Sequence, residues 1–234
     1  MFIGHFAVAL AAKRAAPRTS LGTLLFGAQF LDLLWPPLTL LGIERFRIAP
    51  GITKMTPLDF ESYPISHSLL MSVVWAALIG AIYFARRRYQ AGALMMKIAV
   101  FSHWVLDWVT HRPDLQLAPG VATRVGLGLW NHPSTAVGVE TVMFLLAVGS
   151  YITQTRAKDG IGRWGFAGFI LATALIYVMN VDAPPPPSWQ VVAWSAVALW
   201  LFVLWAAWVD RHREPRHVGA VSPGALRDAP PTPS

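Results

Sequence analysis

Six apolar runs, each long enough to cross a bilayer as a helix, constrain this chain more than any other feature of it. They fall at about 21–41, 66–85, 91–110, 135–154, 164–181 and 189–209. A spanning helix needs roughly 20 apolar residues, because the hydrocarbon holds no water to satisfy an unpaired backbone group. The pattern predicts an all-α fold, a polytopic transmembrane helical bundle of about six spans forming a single domain over residues 1–210. Charge supports it: 55% of the residues are hydrophobic and 13% charged, too few charges to coat a water-facing domain. The sequence has no cysteine, so disulfides, thiolate zinc sites and cysteine nucleophiles are excluded, and any metal must be held by His, Asp or Glu.

The opening MFIGHFAVALAAKR differs from a cleaved signal peptide, since its charges follow the apolar stretch and His5 interrupts it. Segment 2–12 is too short to span and is expected to be a retained N-terminal helix, re-entrant, interfacial or packed into the bundle. Residues 211–234 are polar and Pro-rich and are expected to form a disordered cytoplasmic tail.

The net charge of +7 reflects topology rather than a nucleic-acid partner. Lys13, Arg14 and Arg18 precede the first run, Arg86, Arg87 and Arg88 follow the second, Arg156, Lys158 and Arg163 separate the fourth from the fifth, and Arg211, Arg213 and Arg216 follow the last. If six spans alternate, all four groups lie on one side. The positive-inside bias then puts both termini in the cytoplasm and makes the lipid bilayer the chain's main partner.

Ionisable residues inside spans are costly and ask for a partner or a task. The densest group is FSHWVLDWVTHRPD, where His103, Asp107 and His111 recur every four residues and so lie along one helical face, each pair roughly 6 Å apart along the axis. An imidazole and a carboxylate at this spacing can grip Zn²⁺ or Mn²⁺, but one helix supplies only part of a shell. Asp32 in the first run and His67 at the start of the second are expected at comparable depth, with Ser66 as cap of that second helix. His5 joins them if the opening helix folds into the bundle. His132 and Glu140 at the start of the fourth run are further candidates, as are the loop carboxylates Asp59 and Glu61; His212 and His217 are read as solvated.

This arrangement resembles the membrane-bound, metal-dependent hydrolases of bacterial inner membranes, whose better-known members are LexA-regulated. The matching elements are Gly4-His5, Asp32, His67-Ser68 and Ser102-His103 with Asp107, over about residues 1–115. The resemblance implies an inner-membrane location, a divalent ion held by those His and Asp residues, and attack of activated water on a lipid or small ester. The chain departs from that pattern twice. Asp32-Leu33-Leu34-Trp35 replaces Asp-x-Asp-His, and Glu61-Ser62-Tyr63-Pro64-Ile65-Ser66-His67-Ser68 replaces His-Arg-Gly-x-Thr-His-Ser. One metal, rather than two, is therefore expected.

Three classes of function follow. The first is a hydrolase with metal ligands drawn from His5, Asp32, His67, His103 and Asp107, and with Asp107, His111 and His132 as the groups handling protons. The second is a proton or metal transporter using the same polar line, which would need polar residues continuing to the cytoplasmic side. The third is a non-enzymatic scaffold whose His/Asp network only specifies helix packing.

Overall fold

A computed structural model describes residues 1–181 and 183–216. Helix α1 (Ile3–Ala12) buries Ile3, Gly4, His5, Phe6, Ala7, Ala9 and Leu10, so it lies within the bundle, against its neighbours α2 (Leu21–Ala28), α5 (Gln90–Thr110) and α6 (Pro133–Gln154). An interfacial helix would keep a water-facing polar side; this one has none. The expected first span, 21–41, is instead two short helices, α2 and α3 (Phe30–Leu40), because Gln29 leaves helical geometry at φ −100°, ψ 4°. Ser20 caps α2 by accepting the Thr23 N–H. Gly22 lets α2 touch the following bundle closely, since a Cβ there would fall 2.7 Å from the Ala207 backbone nitrogen.

Between α3 and α4 (Leu69–Arg87) lies an antiparallel ribbon, β1 (Arg45–Ile48) with β2 (Leu58–Ser62), that pairs Phe46 with Phe60. Both rings are buried with Trp35 and Tyr63 in a second hydrophobic core, so the 42–65 segment is an ordered cover over this end of the bundle. Ser68, not Ser66, caps α4, its hydroxyl accepting the Met71 N–H. The helix ends at Arg88, whose φ of +49° stops further helical turns. α5 is one continuous helix of 21 residues, and it is followed by the short ribbon β3 (Leu115–Gln116) and β4 (Arg124–Val125).

After α6, β5 (Thr155–Ala157) leads into a helical segment, Ile161–Val181, whose regular part is α7 (Phe166–Val181). α8 (Trp189–Val197) and α9 (Leu199–Arg211) run together as one apolar stretch. β6 (Arg213–Pro215) pairs antiparallel with β5, so the expected tail begins with an ordered strand; residues 217–234 lie outside the described residues.

Among the described residues, four helical stretches are long and apolar enough to cross a membrane: Leu69–Arg87, Pro133–Gln154, Ile161–Val181 and Trp189–Arg211. Most of their surface faces outward and is apolar, as at Leu145, Leu146, Leu171, Val178 and Leu201, which suits lipid rather than water. Of the six expected spans, the first is broken at Gln29. The third, α5, has the length but carries Lys97, His103 and Asp107.

Candidate metal centre

The break at Gln29 is part of the site. A regular helix would tie up the Ala28 carbonyl internally; here it accepts the Nδ1–H of His103 at 2.7 Å. A carbonyl can only accept, so Nδ1 carries a proton and Nε2 is the nitrogen turned inward. That nitrogen is buried, has no hydrogen-bond partner, and lies 3.3 Å from Asp107 Oδ2 and 3.6 Å from Asp32 Oδ1.

His67 is oriented by the same logic through a longer chain. Glu44, fully buried, accepts the backbone N–H groups of Ile65 and Ser66 and, on its other oxygen, the Ser66 hydroxyl at 2.6 Å. With its own proton committed, Ser66 accepts from His67 Nδ1 at 2.7 Å. His67 Nε2 is left facing Asp32 Oδ1 at 3.4 Å and Asp107 Oδ2 at 3.6 Å. Such outer partners fix both the tautomer and the direction of a ligating imidazole.

His5 reaches the centre from α1. Its ring stacks on that of His103, centroids 3.7 Å apart and planes nearly parallel, with Nε2 3.1 Å from Asp107 Oδ1 and Nδ1 unpaired. Glu140 anchors the start of this helix, accepting the backbone N–H groups of Phe2 and Gly4; it positions His5 rather than joining the centre. The Met1 amino group donates to Asp107 Oδ1 at 2.6 Å.

Two sets of three side chains thus bring their ligand atoms within 4.8 Å of one another, His5 with His103 and Asp107, and Asp32 with His67 and His103. They share His103 and together contain every metal ligand expected from the sequence. The donors are imidazole nitrogens and carboxylate oxygens without sulfur, a set suited to a borderline or hard divalent ion. Four of the five side chains are at most 5% exposed, whereas Asp32 is 32% exposed. The accessible edge of the cluster is therefore at Asp32.

His111 departs from the expected ladder. It is the residue at which α5 ends, with extended backbone, so its side chain leaves the face shared by His103 and Asp107. Its Nδ1 pairs with Asp114 Oδ1 at 3.0 Å, its ring packs on Trp130, and Tyr63 donates to the same carboxylate oxygen at 2.9 Å. Burial, reinforced by the Asp114 charge, holds the Tyr63 hydroxyl well above the usual phenol range. Asp59 is tied to Arg47 and Arg112, and Glu61 lies beside Arg47; both are structural charges of the ribbon. His132 is exposed at the N-terminus of α6 and belongs to neither set of ligands.

Glu44 and Asp114 were not legible as site residues beforehand. Glu44 stands in a stretch without periodicity, and only its burial beneath the ribbon marks it. Asp114 had one signal, its place three residues after His111. Comparison with protein-family models, characterised proteins and solved structures gives no match to this chain.

Proposed function

We propose that this chain is a membrane-embedded hydrolase that depends on one divalent ion and acts on an ester in or near the lipid phase. The observation that carries the reading is the buried, unpartnered Nε2 of His103 between two carboxylates. Two carboxylates facing one imidazole nitrogen repel unless positive charge sits among them, either a proton on Nε2 or a bound cation. His5, Asp32, His67, His103 and Asp107 are the ligand pool. The chemistry a divalent ion supplies when bound is Lewis acidity toward an ester carbonyl or phosphoryl oxygen and acidification of water.

The chain's own residues do the rest. The Ala28 carbonyl and the Glu44–Ser66 relay hold two imidazoles with Nε2 inward. Asp32, at the accessible edge, is where an ester would approach. His111 is the proton carrier in this reading, because Asp114 takes its Nδ1–H and leaves Nε2 free. His132 has no part in it. The resemblance to inner-membrane metal-dependent hydrolases supports the same chemistry, and the Lys and Arg distribution supports a multi-pass inner-membrane protein with cytoplasmic termini.

A transporter is less well supported. On α1, residues 6–12 between His5 and Lys13 are all apolar and offer no relay for an ion. A structural network has one observation in its favour: the Met1 ammonium on Asp107 supplies positive charge without any metal. The deciding experiment is elemental analysis of the detergent-purified chain beside His103→Ala and Asp107→Ala, with melting curves and hydrolysis of lipid and short-chain esters. About one Zn²⁺ or Mn²⁺ per wild-type chain, lost in both variants while they stay folded, together with ester hydrolysis that follows the ion, supports the hydrolase. Wild type that takes up neither ion when stripped and re-offered both ends it in favour of the structural network.

A further inference from the structure

Where α2 begins and α4 ends, there is a pocket of about 290 Å³ lined by Arg18, Thr19, Ser20, Thr23, Tyr83, Arg87 and Tyr89. Its polar groups have their positions set by the fold. The Thr19 and Tyr83 hydroxyls bond each other at 2.8 Å against Gly92 of α5, where a Cβ would fall 2.7 Å from both oxygens; only glycine leaves room for them. Arg18 lies over the Tyr89 ring at 4.7 Å, which limits the directions in which its fork can point.

The charges at this pocket are uncompensated. Among the described residues, no carboxylate lies within ion-pair distance of Arg18 or Arg87, both exposed at the pocket's rim, whereas Lys13, Arg47, Arg112 and Arg156 each pair with one. Two guanidinia and a set of hydroxyl donors, with no acid to answer them, suit a phosphate, which accepts from Arg in bidentate fashion. Arg87 is also the last residue of a helix apolar and long enough to span the membrane, so the pocket sits at the level of lipid headgroups, flanked by two tyrosines as interfacial aromatic residues are.

We propose that this pocket binds the phosphate of an anionic lipid headgroup. Basic pockets between membrane helices hold such headgroups by the same combination of charge and hydroxyl donors. The site is independent of the metal centre and does not rest on the hydrolase reading.

The test is lipid binding to the full-length chain in neutral detergent, titrated with phosphatidylglycerol, phosphatidylcholine and inorganic phosphate, and read by native mass spectrometry and by the shift in melting temperature. Wild type should prefer phosphatidylglycerol to phosphatidylcholine by about tenfold or more, and Arg18→Gln with Arg87→Gln should remove that preference. Arg18→Lys with Arg87→Lys, which keeps the charge but loses the fork, should fall between the two. Arg156→Gln, a basic residue elsewhere that is paired with Glu214, should bind as wild type does. If inorganic phosphate binds in the same Arg-dependent way and the lipid adds nothing, the pocket is a phosphate site whose ligand comes from solution. Equal binding of the two lipids without phosphate binding, an unaltered preference in the Gln pair, or an equal loss in Arg156→Gln would overturn the proposal.

Discussion

The two ends of α1 carry two buried polar clusters that differ in one respect. At its start, His5 meets His67, His103, Asp32 and Asp107, and two ring nitrogens there, His5 Nδ1 and His103 Nε2, have no partner. Just past its end, eight residues and roughly 12 Å of helix rise away, Lys13 bonds both oxygens of Asp210 and the Thr19 carbonyl. Tyr151 adds a fourth bond to that network by donating to Asp210 Oδ1 at 2.7 Å. Lysine has three protons to give and all three are placed. The second cluster is complete as it stands and ties α1, α6 and α9 together; the first keeps two ring nitrogens without a partner among side chains that could hold a metal ion. Burial alone therefore does not mark a functional site in a membrane bundle. Unfilled bonding capacity gathered on imidazoles beside carboxylates is the better guide.

The difference is sharpest in what each cluster loses on substitution. His103→Ala or Asp107→Ala is expected to weaken divalent-metal binding by more than the roughly 10–100-fold of an outer partner; in metal-free buffer His103→Ala should melt near wild type, whereas Asp107→Ala, which also strips the buried Met1 ammonium of its carboxylate, should melt lower. The check is metal stoichiometry after dialysis, together with melting curves with and without chelator. A large melting loss in metal-free buffer, equal for both variants, would make the first cluster another structural network and erase the contrast.

Lys13→Met is the mirror experiment. It leaves Asp210 buried without its cation, which costs about 3–5 kcal/mol, and it should lower resistance to unfolding in mixed micelles with metal content unchanged. Loss of bound metal in this variant would mean that the two ends of α1 are coupled rather than separate. A smaller effect is expected from Glu44→Gln. Ser66 would lose its ionic acceptor and hold His67 less firmly, lowering metal affinity by about 10–100-fold, with little change in the metal-free melt. If affinity is unaltered, His67 is not oriented by that relay.

The fold and the centre were legible in the sequence to different depths. Span length and the fourfold spacing of His103 and Asp107 follow from helix geometry, so the apolar helices and the ladder on α5 could be read from residue order. His5, Asp32 and His67 could be named because imidazoles and carboxylates are rare in apolar runs. What could not be read is how the chain pays for bringing them together. The break at Gln29 has no glycine or proline at the break itself, and its cause is visible only in the Ala28 carbonyl given to His103. Glu44 is a loop carboxylate in sequence and a buried hub in space. His111 continues the spacing, yet α5 ends at that residue and turns its ring toward Asp114.

The smallest expected effect comes from a pair that is satisfied, like Lys13 with Asp210, but exposed. Asp159, in the turn between β5 and α7, accepts the Gly162 N–H at 2.8 Å and His212 Nδ1 at 2.7 Å, and these two bonds, the backbone one foremost, hold its carboxyl below the ordinary range. A carboxyl whose folded value is depressed adds stability above its unfolded value, and that contribution fades as pH falls through the folded one. Wild type should therefore exceed Asp159→Asn slightly at about pH 7, and the gap should shrink as pH falls below the ordinary carboxylate range and through the depressed value of the folded state. The Asp159 side chain is 46% exposed, so solvent screens the interaction and the gap should stay well below the Lys13→Met loss. Melting both proteins across that range is the measurement. A gap as large as that of Lys13→Met would show that satisfied bonds stabilise this chain regardless of burial, and a gap that widens toward acid would show that Asp159 is not held as an anion in the folded protein.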